Sequence, residues 1–270
     1  MSLLSVEPLL LSFPIMNLES SITDSVRDPY GAEFCQTSEH FAFHYGSEIY
    51  ISEEQVSEIL GVFEDSWHNQ INSMGYPEPQ DTTIAKFNIY LGDSQTGLPA
   101  SYNVSGYYGL DREGWPMIVL GEYVLNKWEE TQSTIPHEFF HAIQHSLDVY
   151  RNDPRSKWYW EATATWIETQ HFPEDPMAGI FLFGFLFHPH LPINYYEPVQ
   201  QGNSEEYYTY GAFLFPYYIS EEIGNATWIR DSWLEPSLTE TPLGYLANRI
   251  QQEHNMADVI FDFSSRSLSY

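Results

Sequence analysis

The run Pro136-His137-Glu138-Phe139-Phe140-His141-Ala142-Ile143-Gln144-His145 constrains this 270-residue chain more than any other feature. Histidines four residues apart on a helix stand about 40° apart around the axis and one turn apart along it, so the two imidazoles converge on one point. Phe140, Ile143 and Leu147 follow at spacings of three and four, and would anchor the same helix in a core. Glu138 sits about 100° round from His137. From there it can reach a water at a metal's open coordination position without ligating the metal. Two nitrogen ligands, a neighbouring base and an open position are what a zinc hydrolase requires. His145 continues the face, but it lies about 12 Å along the axis from His137, too far to share one ion.

Zinc held catalytically by protein calls for a third ligand. A histidine six residues after His141 would supply it, but that position is Leu147. The segment Trp158-Tyr159-Trp160-Glu161-Ala162-Thr163-Ala164-Thr165-Trp166-Ile167-Glu168 offers carboxylates instead. Glu161 lies twenty residues after His141, far enough for a turn around Asn152-Asp153-Pro154 and an antiparallel second helix. Ala162 and Ala164 permit close helix approach, which makes Glu161 the preferred third ligand. Glu168, seven residues on along the same face, can orient a ligand histidine or be an ordinary exposed glutamate.

Around this pair of helices the chain reads as one domain, residues 31–270, behind an N-terminal extension of residues 1–30. A sheet-bearing lobe, residues 31–132, precedes a helical lobe, residues 133–270. Strands are expected at 40–45, 84–91 and 115–120. Ser52 caps a helix to His68 whose Val56, Leu60, Phe63 and Trp67 form an apolar stripe. In the helical lobe, Ser133 or Thr134 caps a helix to about Leu147, with Pro136 in its first turn. Further helices are expected at 155–171, ended by Pro173, at 210–223 with a possible kink at Pro216, and at 242–252. Antiparallel-type strand signals followed by helices give an α+β class.

Ten basic against 38 acidic residues give a formal net charge of −28, which would repel a phosphate backbone and disfavours nucleic-acid binding. The single Cys35 forms no internal disulfide and no cysteine-based zinc knuckle. The apolar run Met177–Phe187 contains two glycines and is too short to span a bilayer, so it reads as a buried segment or pocket wall. No integral membrane segment is therefore expected. The apolar first sixteen residues precede the first basic residue, Arg27, whereas a standard signal peptide has that charge in front. Asn103-Val104-Ser105 and Asn225-Ala226-Thr227 are glycosylation sequons that matter only in a eukaryotic secretory pathway.

His137-Glu138-Phe139-Phe140-His141 with Glu161 resembles the gluzincin zinc peptidases, whose third ligand is a glutamate on the following helix. More closely, the chain resembles an uncharacterised group of bacterial metalloprotease-like sequences of the myxobacterial kind. That similarity runs through Ser38-Glu39-His40-Phe41, Met74-Gly75-Tyr76-Pro77-Glu78-Pro79, the 137–144 run, Trp160–Glu168 and Tyr208–Phe213, over roughly residues 38–225. It implies a thermolysin-like zinc peptidase domain, with a small mixed or antiparallel sheet over the active-site helix and a helical C-terminal lobe.

The ligands implied are His137, His141 and Glu161 for one zinc ion (Zn2+), with Glu138 as the catalytic base and a peptide or protein as substrate. An extracellular or cell-envelope location is also implied, with a cytoplasmic one left open. Several gluzincins carry an acidic or amide residue four positions after the glutamate ligand, where this chain has Thr165, so the support of the ligands must be built differently. The Gly-x-Met-x-Asn segment of the aminopeptidase branch is not present, which makes an endopeptidase the default. Tyr208, three residues before Gly211, is placed like the oxyanion tyrosine of gluzincin aminopeptidases, and Tyr210 is the next candidate. Strand 116–120 is the candidate edge for an extended peptide, with a buried interior strand as its alternative. His188 and His190 flank Pro189 in a loop that could line the cleft. A non-catalytic zinc-binding module of the same fold and a zinc hydrolase of another amide are the rival functions.

Overall fold

Short runs of aliphatic and aromatic residues build the sheet from which the helices hang. The computed structural model describes residues 23–150, 153–173, 176–196, 204–235 and 241–267. Strands β1 (Phe34–Thr37), β2 (Phe41–Tyr45), β3 (Phe87–Leu91), β4 (Gly106–Leu110) and β5 (Pro116–Leu120) form a mixed sheet in the order β1-β2-β3-β5-β4. The central strands β2, β3 and β5 are parallel, while β1 and β4 pair antiparallel at the two edges. The parallel centre departs from the expected antiparallel signals. Its reason is burial on both faces, which turns a strand such as Pro116-Met117-Ile118-Val119-Leu120 into a continuous apolar run.

That same burial overturns the expectation of an edge at residues 116–120. β5 lies inside the sheet, with Ile118 opposite Ile89 of β3 on one side and Tyr108 of β4 on the other. The edge nearest the helical part is β4, whose residues are half-buried or exposed.

Helix α1 (Glu53–Trp67) is capped by Ser52, whose side chain accepts from the Gln55 N–H while Gln55 reaches back to the Ser52 N–H. Its buried Val56, Leu60, Phe63 and Trp67 are the expected stripe. A short helix α2 (Glu122–Leu125) leads into α3 (Trp128–Leu147), which carries the histidine pair. α3 begins before the expected cap. Ser133 lies within it, its hydroxyl turned back on the carbonyls of Glu129 and Glu130 at 3.4 and 3.2 Å. Pro136 therefore falls inside the helix rather than in its first turn. Having no N–H, it forfeits the bond to the Gln132 carbonyl. The buried Gln70 amide donates to the Pro136 carbonyl at 3.0 Å.

After a 3-10 turn at Pro154–Ser156, α4 (Lys157–His171) runs back against α3. Asn152 of the expected turn lies outside the described residues, as do residues 1–22 of the expected extension. Then follow α5 (Pro176–Phe187), α6 (Ser204–Gly211), α7 (Leu214–Glu221), α8 (Ala226–Leu234), α9 (Pro242–Glu253) and α10 (Met256–Arg266). The single helix expected over 210–223 is thus two, broken at Ala212-Phe213. Pro216 sits in the first turn of α7, where a missing N–H costs no intrahelical bond, so it makes no kink. Among the described residues, no helix is long and apolar enough to cross a membrane.

The core fixes how α3 is turned. Phe139 packs on Phe41 and Phe87 of the sheet and on Trp67 of α1, while Phe140 packs on Tyr76 and on Trp233 of α8. Both phenyl groups are fully buried, and each such ring stabilises the fold by about 1.5–3 kcal/mol relative to exposure. With two neighbouring positions gripped on two sides, the helix cannot rotate, and His137 and His141 are directed at α4.

Candidate metal centre

The histidine spacing on α3 brings the two rings to a centroid distance of 4.7 Å with their planes at 86°. Across from them, α4 packs against α3 and delivers Glu161, whose neighbours Ala162 and Ala164 are fully buried. Its Oε2 lies 3.4 Å from His137 Nε2 and 3.5 Å from His141 Nε2. One donor atom from each residue falls within 4.8 Å of the others. Donors about 2.0–2.2 Å from a tetrahedral zinc stand about 3.3–3.6 Å from one another, and both distances from the carboxylate to the imidazoles fall in that range.

The tautomers are also prepared. His137 Nδ1 is held by Glu168, and His141 Nδ1 lies 2.6 Å from Gln144 Oε1. With an acceptor on each Nδ1, each Nε2 is left to present its lone pair between the rings. Gln144 is itself fixed, its amide donating to the Trp160 carbonyl at 3.0 Å and to the Thr163 hydroxyl at 3.1 Å.

Glu168 is accordingly a buried support for His137 and not an exposed surface group. Gln144 carries the matching role for His141, a role the sequence reading did not assign. Its signal was present, since a residue three after His141 shares its helix face. Thr165, four residues after Glu161, is fully buried and its hydroxyl has no hydrogen-bond partner, so it supports neither histidine.

Charge completes the fit. Burial opposes charge on His137, but Glu168 and Glu161 outweigh it and raise the imidazole well above its ordinary range. Burial likewise opposes charge on His141, and Glu161 reverses the balance upward. Burial would raise the Glu161 carboxyl, yet His141 and His137 hold it far below the usual carboxylate range. Glu138 adds a further negative field on both rings. A site where three carboxylates surround two imidazoles stabilises positive charge, whether protons or a divalent cation.

Glu168→Gln and Gln144→Leu are each expected to weaken zinc binding about 10- to 100-fold while leaving the fold intact. Competition against a zinc chelator dye, with circular dichroism alongside, reads both quantities. Unchanged zinc affinity in both variants would contradict the role assigned to them.

Two cavities flank the ligands. One, of about 200 Å³, is lined by His137, Glu138, Ser105 and Gly106, with Tyr207 and Tyr210 on its far wall. The other, of about 350 Å³, lies on the Glu161 side between β4 and the start of α4. The wall carrying Tyr210 depends on a glycine. A Cβ at Gly211 would stand 2.3 Å from the Phe181 carbonyl oxygen, so only glycine lets α6 lie this close to α5. Gly211 is the last residue of α6, whereas the helix expected here began at about residue 210.

Of the two expected oxyanion candidates, Tyr210 borders the cavity beside His137 and Tyr208 does not line it. Tyr208 is buried, stacked on Phe185, and its hydroxyl donates to the Leu191 carbonyl at 2.8 Å. Tyr210 is the tyrosine whose ring stands 6.0 Å from the His137 ring. His145 meets the Tyr108 hydroxyl and borders the larger cavity, while His188 and His190 face each other at 5.9 Å and line neither cavity.

No curated protein matches the chain. Residues 18–270 match the model described as Family of unknown function (DUF6055), and the chain belongs to that family.

Proposed function

We propose that the protein is a zinc-dependent endopeptidase. The observation that carries this is Glu161 Oε2 standing 3.4 and 3.5 Å from His137 Nε2 and His141 Nε2, distances that two ligands of one tetrahedral zinc would have, with Glu138 beside the group in a cavity. The resemblance of these residues to the gluzincins supports the same chemistry. A bound zinc supplies Lewis acidity, which acidifies water and polarises a carbonyl group.

The chain's own residues do the rest. Glu138, placed off the ligand face of α3, takes the proton of the attacking water and hands it to the departing nitrogen. Tyr210, on the wall facing His137, is the donor proposed for the oxygen that gains negative charge, in place of Tyr208. Glu168 and Gln144 hold the imidazoles in register throughout. β4 offers an open sheet edge to an extended peptide, and cavities on both sides of the ligands accommodate chain before and after the cleaved bond. That two-sided arrangement favours an endopeptidase.

The test is cleavage of a mixed peptide library by zinc-loaded protein, before and after zinc is stripped with a chelator. Cleavage at internal bonds, lost on stripping and restored by zinc, is the expected result. A zinc-replete protein that cleaves no peptide would leave the site as a binding module.

A further inference from the structure

On the peptidase reading above, we infer that the cavity beside Glu161 receives the residue on the acyl side of the cleaved bond, and that Lys157 makes it select a carboxylate side chain. Lys157, Trp160 and Glu161 are three and four residues apart at the start of α4, so they share one face. With Tyr108 of β4 and with Tyr196 they border the cavity of about 350 Å³. Lys157 Nζ stands 5.5 Å from the centre of the Tyr196 ring.

Only three lysines occur in a chain with 38 carboxylates. Lys86 and Lys127 have carboxylates at 3.9 and 2.9 Å, whereas Lys157 has no ion pair among the described residues. The carboxylate that lines the same cavity, Glu161, is turned to the two imidazoles. An ammonium with no carboxylate partner among the described residues, in so acidic a protein, marks a place where the ligand brings the negative charge. The aromatic walls suit the methylene stem of a glutamate, and the ammonium suits its tip.

Which side of the bond the cavity serves follows from the chemistry. Glu138 must deliver a proton to the departing nitrogen, and that nitrogen belongs to the residue after the bond. The cavity lined by Glu138 therefore takes that residue, and the cavity across the ligands takes the one before it. β4 gives the same polarity. A peptide added antiparallel to its free edge runs from Leu110 towards Gly106, passing the Lys157 cavity first and the Glu138 cavity second.

The experiment compares two peptides that differ only in Glu or Gln immediately before the cleaved bond, using zinc-loaded full-length protein. Lys157 is exposed, so the Glu peptide is expected to have kcat/KM about two- to fivefold higher, the range of an exposed charge pair. Lys157→Gln should bring that ratio to about one, Lys157→Arg should keep it, and Lys157→Glu should invert it in favour of lysine at that position. The same order should appear in binding of the uncleaved peptides to the zinc-loaded Glu138→Gln protein, read by tryptophan fluorescence. Cleavage with equal rates for Glu and Gln, or a ratio that Lys157→Gln does not move, overturns the subsite and leaves the peptidase standing. Failure to cleave any peptide overturns the peptidase reading and the acyl-side assignment together.

Discussion

Glu138→Gln is expected to cut peptide hydrolysis by about a hundred- to ten-thousand-fold while zinc content stays at the wild-type level. The split between the two readouts is what makes the result informative. Glu138 is beside His137 in the chain but off its face, lining the smaller cavity rather than pointing between the rings. It is absent from the group of atoms close enough to share an ion, which comprises His137, His141 and Glu161. Replacing its carboxylate by an amide of the same shape removes the proton acceptor and leaves the ligands where they are. Steady-state kinetics with metal analysis of the same sample checks this. Full activity in the variant would remove Glu138 from the chemistry, and loss of zinc would make it a ligand.

Glu161→Ala is expected to act at the other end of the site, weakening zinc binding by more than the roughly 10- to 100-fold typical of a supporting residue. Hydrolysis should fall with it. The variant has a second signature that needs no metal. Burial pushes the His141 imidazole down and Glu161 pushes it up, with Glu161 prevailing. Without the Glu161 carboxylate, burial prevails and His141 should lose its proton at lower pH than in the metal-free wild type. Histidine ring resonances followed by NMR against pH would report the change. An unshifted His141 together with intact zinc affinity would mean that α4 does not contribute a ligand.

What the sequence made legible is uneven, and the unevenness has physical causes. The histidine pair was readable because spacing on a helix fixes geometry within a few residues of chain. Glu161 was readable because its alanine neighbours mark a close helix approach, and the structure places it on the opposite wall of the same site. The start of α3 was not readable. Apart from the exposed Trp128, its first turns, Glu129-Glu130-Thr131-Gln132, are polar and carry no apolar stripe, and Ser133 has the appearance of a cap while bonding back into the helix.

β4 was missed because Gly106-Tyr107-Tyr108-Gly109-Leu110 has two glycines in five residues, a poor strand signal that close packing overrides. At Gly106 a Cβ would meet Thr134 at 2.8 Å, so the glycine is there to let the strand approach α3. α5 is apolar nearly throughout and shows no face, so pattern alone could not tell a buried segment from a helix on the cleft wall. Which of Tyr208 and Tyr210 borders the cavity beside His137 depends on how α6 is rotated, and α6 is packed at Gly211 against Phe181 of a different helix. Contacts between distant segments of chain leave little trace in local pattern.

The most direct measurement is a crystal structure of the zinc-soaked protein with anomalous differences recorded at the zinc edge. One peak per chain is expected, within about 2.0–2.2 Å of His137 Nε2, His141 Nε2 and a Glu161 carboxylate oxygen. With zinc in excess, no peak there, and Glu161 still resting 3.4 and 3.5 Å from the two imidazoles as a plain ion pair, would contradict the assignment of these residues as zinc ligands.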